Sequence, residues 1–401
     1  MMQRKHDRII VAGGGPVGAV ATLLLARAGI PVTMIERAQD VVLDYRASTF
    51  HPPTLDLLEE SGITAALVAM GLVCPTVQIR DREIGKVAEF DVTRLRHETR
   101  HPYRLQCEQF KLVGFVYREL AKIAGVDRRL GHEVVTIAQD EGGATVEAEH
   151  DGDIVTLRGD IVIGCDGGRS TVRKLMEIGF PGLTYPEHFL IAGTRFDFRA
   201  HMPDISSVNY TADPVRWFML LQIPDMWRIL VPVAPEISAD DAVSDESLQS
   251  SLQNICPRPG DYEIVVRAIY RVHQRVAETY RRDRVFLAGD AAHLNNPLGG
   301  MGLNGGLHDV ISLTDRLIAW WHGRADESIL DGYEPQRRPE AINAIHAITA
   351  RNKKLLEERD AQVRARNLDE MRAIAADPER SYQYLLDSAM ISSLRRSGMI
   401  R

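Results

Sequence analysis

The chain has 401 residues, 45% of them hydrophobic and 26% charged, with a formal net charge of -7. That length supports one large core or two or three units sharing it, and the acidic balance excludes a protein that works by neutralising nucleic-acid phosphates. Four cysteines, Cys74, Cys107, Cys165 and Cys256, stand too far apart for a zinc or redox site or a disulfide scaffold, so no metal is expected and a reduced, cytoplasmic setting is.

The charged lead MMQRKHDR passes directly into Ile9-Ile10-Val11-Ala12, without the apolar core and cleavage site of a signal peptide. No later apolar run reaches the roughly 20 residues that cross a bilayer. The first strand is β-branched, as a strand covered on both faces should be, and the turn after it carries Gly13, Gly15 and Gly18. This is dinucleotide spacing: the first glycine permits a tight turn, the second lets a pyrophosphate approach the backbone, and the third lets helix and strand pack closely. Pro16 and Val17 open a helix predicted to run to Ala28 and to stop at Gly29, its N-terminus facing the phosphates. A second strand, residues 31–35, ends at Glu36 and Arg37, where an acid can accept hydrogen bonds from ribose hydroxyls. The motif alone leaves NAD and FAD open.

Two later stretches repeat the strand-then-acid pattern. Residues 160–164 lead into Cys165-Asp166-Gly167-Gly168-Arg169-Ser170, and residues 284–288 lead into Gly289-Asp290-Ala291-Ala292-His293, followed by a glycine-rich loop, Pro297 to Gly306, that feeds a helix through Trp321. An aspartate at the C-terminal end of a strand stands where open α/β sheets place ligands. The three motifs, in this order, resemble the single-component FAD-dependent aromatic hydroxylases typified by p-hydroxybenzoate hydroxylase. The resemblance implies that the first motif holds the ADP half of FAD, that Asp166 lies near flavin and NADH or NADPH, and that Asp290 binds a ribityl hydroxyl. It further implies that Pro297, Leu298, Gly300, Met301, Gly302, Leu303 and Asn304 line the flavin ring. Arg46 and Gln106 match cofactor-contacting positions, and Arg169 and Arg173 could shape the nicotinamide path.

The expected fold is α/β: a discontinuous Rossmann-like FAD-binding domain over 1–75, 100–180 and 280–325, an inserted, mostly antiparallel sheet domain over 76–99 and 181–279 for substrate, and a C-terminal helical region over 326–401. On the strand predicted over 215–223, period-two alternation puts Trp217, Met219 and Leu221 on one wholly apolar face and Arg216, Phe218, Leu220 and Gln222 on the other. The apolar face, with Tyr210 on a neighbouring strand, is the substrate-wall candidate. Residues 334–368 read as one long charged helix, and LLDSAMISSLRRSGMI carries apolar residues that could dock on the body or form a homodimer.

The resemblance implies a cycle in which NAD(P)H reduces FAD, oxygen adds at flavin carbon 4a, and one oxygen atom passes to an electron-rich aromatic or heteroaromatic ring, such as a phenol or hydroxypyridine. The cofactor carries the chemistry, so no nucleophile–base pair is required. His188, Tyr210 and His293 are the candidates for moving a substrate proton. An FAD-dependent halogenase would carry a Trp-x-Trp-x-Ile-Pro signature, which is missing; an isoprenoid-type reductase on a related fold is the other alternative.

Overall fold

The computed structural model describes residues 6–400; Met1–Lys5, within the charged lead, and Arg401 lie outside the described residues. A six-stranded sheet runs in the order 281–282, 285–287, 161–164, 9–12, 32–36 and 126–130, parallel except for its first pair. Ile9, Ile10, Ile161, Val162, Val285 and Phe286 are wholly buried, which is why these strands read as unbroken apolar runs. The helices Pro16–Arg27, Gln109–Leu120 and Met301–Trp321 supply further members of the same core.

An eight-stranded sheet has the order 293–294, 266–276, 182–194, 226–233, 218–223, 208–212, 76–81 and 85–91. Every pairing is antiparallel except 208–212 with 76–81. One face, with Leu190, Phe218, Leu220 and Ile229, packs on Leu248 and Leu252 of the helix Asp245–Ile255. The other, with Phe189, Tyr210, Met219 and Leu221, packs on Leu298 and on Leu368, Leu385 and Leu386 of the C-terminal helices.

Two details differ from the sequence reading and one open alternative is resolved. The helix ending at Trp321 starts at Met301, so most of the predicted glycine-rich loop is its first turns. The long C-terminal helix is interrupted: Tyr333–Glu340 passes into a π-helical segment, Ala341–His346, just after Pro339 removes a backbone donor, and the helix ends at Glu357. Asp360 caps the next helix, Ala361–Ala376, by accepting from the amides of Gln362 and Val363. The apolar C-terminal segment docks on its own body, with Leu385, Leu386, Ile391 and Leu394 buried. A homodimer would need another face. Among the described residues no helix is long and apolar enough to cross a membrane.

Candidate active site

Strand register brings the three motifs together. Ala12 pairs with Gly164 and Gly164 with Leu287, so the chain leaves the sheet at one level in all three places. Gly13 turns there with φ 106°, and its N–H donates to Ile35 O at 2.7 Å. A Cβ on Gly13 would lie 2.4 Å from Cys165 O, and one on Gly18 would lie 1.9 Å from Gly13 O, so both approaches exclude any side chain. Gly15 is different: a Cβ there would meet nothing within 4 Å, which leaves the backbone open to a ligand. Val17 rests against Gly289, tying the first motif to the third.

The helices beginning at Pro16 and Met301 have no side-chain cap, so their first amides are free to meet an anion and add the positive end of the helix dipole. Two such ends, an open glycine backbone and an acid at the strand end fit the phosphate, ribose and ring portions of FAD. Glu36 accepts from Gly14 N at 2.6 Å and from Ala38 N at 2.8 Å, so it holds the turn while its carboxylate retains lone pairs for a ribose. Arg37 is exposed beside it. Arg46 pairs with Asp44 at 2.6 Å, and its charge also reaches Asp290. Asp290 is exposed on the turn Gly289–Ala291. The charges of Arg46 and His293 reach its carboxylate and favour its ionised form.

Other predicted contacts point into the protein. Gln106 is wholly buried and hydrogen-bonded to Ser48 Oγ at 2.9 Å and to Thr49 Oγ1. Asn304 accepts from His51 N at 2.9 Å and Thr54 Oγ1 at 2.7 Å and donates to Thr49 O at 2.8 Å, so its amide pins the helix Met301–Trp321 rather than projecting outward. Met301 and Leu303 are likewise buried, whereas Pro297, Gly300 and Gly302 retain partial exposure. Asp166 accepts from Ser170 Oγ and Val172 N, and burial raises its pKa. Arg173 donates to Ala291 O at 2.8 Å and Gly168 O at 2.9 Å and covers the Phe180 ring, strapping the second motif to the third; Arg169 is exposed.

Tyr210 pairs in register with Met219, and Trp217, Met219 and Leu221 share one apolar cluster with Leu298 of the third motif. Phe218 and Leu220 belong to the opposite cluster, and Gln222 bonds there to Ser207 at 3.1 Å. The strand itself starts at Phe218, one residue after Trp217, whose ring meets Phe189 edge-on at 5.3 Å.

Two relay candidates are misplaced. His188 shares its strand face with Leu190, away from Leu298, and accepts from Arg271 Nε at 3.2 Å. His293 is bound at 2.8 Å to Asp309, itself 2.9 Å from Arg337, in a cluster at most 1% exposed. Of the three, only Tyr210 lies in the apolar cluster with Leu298, and there its Oη meets Arg104 Nη1 at 3.2 Å. The sequence reading passes over Arg104 and also over His51, whose Nε2 donates to Gly299 O at 2.8 Å. Burial, reinforced by the charge of Arg104, lowers the His51 pKa to about 3. Period two from Gln106 would have flagged Arg104, because residues i and i+2 of a strand share a face.

Comparison with known proteins agrees with this geometry. A family model described as "FAD binding domain" matches residues 7–347. The chain is 32% identical to para-nitrophenol 4-monooxygenase of Pseudomonas sp. (strain WBC-3) over 97% of both chains. It is 31% identical to 6-hydroxy-3-succinoylpyridine 3-monooxygenase HspB of Pseudomonas putida (strain DSM 28022 / S16), over 84% of this chain and 86% of that protein. The crystal structure of p-nitrophenol 4-monooxygenase PnpA from Pseudomonas putida DLL-E4 superposes with a TM-score of 0.92 at 31% identity, covering 98% of this chain and 99% of that one. Motif order, the meeting of the three strand ends and near full-length similarity converge: the chain belongs to the FAD-binding-domain family and is a single-component FAD-dependent aromatic monooxygenase.

Proposed function

We propose that this enzyme hydroxylates a small phenol or hydroxypyridine in a chamber between the third motif and the eight-stranded sheet. The observation that carries this reading is the apolar cluster joining Leu298 to Tyr210, Trp217, Met219 and Leu221, a wall suited to a flat ring. Two of the relatives above act, by name, on a nitrophenol and a hydroxypyridine. In this reading the backbone over 13–18 and 297–303, with Glu36, Arg46 and Asp290, holds FAD. When bound and reduced by NAD(P)H, that cofactor supplies oxygen activation and transfer of one oxygen atom to the ring. The protein's own work is to orient the ring, to exclude water through the apolar wall and to present helix-end amides to developing negative charge. The four free, buried cysteines support a cytoplasmic setting.

The test is a panel of phenols and hydroxypyridines scored for accelerated NAD(P)H oxidation, with one oxygen consumed and one oxygen atom added to the product. Oxidation with no oxygen uptake would instead indicate the reductase chemistry. The wall has its own check. Met219→Ala removes apolar cover, so hydrogen peroxide per NAD(P)H consumed should rise at least twofold while FAD affinity stays unchanged. Gln222→Ala, on the opposite face, should do neither, and equal leakage from both variants would mean the sheet presents its other side.

A further inference from the structure

We infer that Arg104 is the specificity residue of this chamber, selecting aromatic substrates that carry an anionic ring oxygen; the inference rests on the phenol or hydroxypyridine reading above. Arg104 is 6% exposed, yet among the described residues no carboxylate forms an ion pair with it. Among the described residues its one side-chain hydrogen bond goes to Tyr210 Oη at 3.2 Å. Of the other deeply buried arginines, Arg337 has Asp309, Arg80 has Asp204 and Arg173 has two backbone carbonyls, while Arg228, equally buried, donates to Tyr45 O. A buried guanidinium without a counter-charge is costly, and a ligand anion would remove that cost.

Its position says what the anion belongs to. Strand Arg104–Gln106 turns Arg104 to the same face as Gln106, which is locked to Ser48 and Thr49, so the strand is held beside the third motif. Tyr210, its partner, stands opposite Met219 on the apolar wall. The titratable groups that feel or face Arg104 are His51, Cys74, Tyr384 and Tyr210, none of them a carboxylate. Arg228, on the strand Met226–Val233, adds positive charge near Tyr210, and the carboxylates of Glu108 and Asp44 face it. A phenolate or hydroxypyridinate oxygen set against a guanidinium in a largely apolar chamber gains a charge-assisted hydrogen bond that a neutral ring cannot make. The phenolic proton passes to solvent on binding, so no protein base is required, and the ring is left electron-rich.

The test uses the FAD-loaded enzyme and a chromophoric phenol, 4-nitrophenol, whose ionised and neutral forms differ in visible absorption, with 4-nitroanisole as the neutral isostere. Difference spectra across pH should show the bound phenol ionising at least one pH unit below the free one. Arg104→Met should abolish that shift and weaken binding of the phenolate at least tenfold, while affinity for 4-nitroanisole stays within twofold and the flavin spectrum is unchanged. Arg104→Lys, which keeps the charge, should retain the shift. If Arg104→Met bound the phenolate as tightly as the parent, with the same shift, the role of Arg104 would be overturned and the substrate reading would stand. If the parent bound no phenol or hydroxypyridine at all, the substrate reading would fail and this inference with it.

Discussion

Replacing Gly18 with alanine is expected to yield an enzyme that is purified without flavin. The added methyl would stand 1.9 Å from Gly13 O and 3.1 Å from Cys165 Cβ, and neither can retreat. Gly13 is held from one side by its bond to Ile35 O and from the other by its approach to Cys165, so the whole turn must move. Overpacking of this kind costs about 1–3 kcal/mol, at the upper end where the neighbours are backbone, and the displaced turn would no longer present its amides to a pyrophosphate. FAD affinity should fall at least 100-fold, about 2.7 kcal/mol. Gly15→Ala separates cofactor from fold. At φ -64° and with open space around it, that methyl should leave the FAD-free protein within about 2 °C of the parent melting temperature. It should nevertheless weaken FAD, because it occupies the space the ligand needs. Thermal melts with and without FAD, paired with flavin titration, decide both points. A Gly18→Ala protein with parental melting and affinity would show that the turn tolerates a side chain.

The central strands and the glycine turn were legible because their signals are local: a β-branched run, three glycines at fixed spacing and an acid at the next strand end. The sheet face was legible for the same reason, since alternation over 217–222 maps directly onto two clusters. Elements were missed where local propensity was overruled or ignored. Four glycines between Pro297 and Gly306 argue for a loop, yet the segment from Met301 is helical, pinned by Asn304 through bonds to His51, Thr54 and Thr49. The meander over 133–159 did carry a signal: Asp151-Gly152 sits between alternating runs, and both residues adopt positive φ, as a tight hairpin requires. The partners of Arg104 and of His293 were invisible for a different reason. Their meaning depends on residues tens to hundreds of positions away, and no spacing rule connects Arg104 to Tyr210 or Asp309 to Arg337.

That last pair carries the largest expected loss of stability. Asp309 is wholly buried and accepts from Arg337 Nε at 2.9 Å, from His293 Nε2 at 2.8 Å and from Gly289 N at 3.1 Å. It therefore joins the helices Met301–Trp321 and Tyr333–Glu340 to the turn that carries Asp290. Asp309→Asn keeps the shape but leaves the Arg337 guanidinium, 1% exposed, without its counter-charge. Removing one partner of such a pair costs about 3–5 kcal/mol. Burial pushes the Asp309 carboxyl up, but the charges and hydrogen bonds of His293 and Arg337 outweigh it and hold it below its ordinary value. A depressed folded value means that the unfolded state binds the proton more readily, so this stabilisation is present above about pH 4 and is lost as pH falls further. Denaturant midpoints should therefore separate parent and variant widely at pH 7, and the gap should narrow below pH 4. Arg337→Gln should cost less in the Asp309→Asn background than in the parent, because the stranded charge is then removed. Equal costs in the two backgrounds, or a gap that does not change with pH, would show that the buried carboxylate and guanidinium do not stabilise one another.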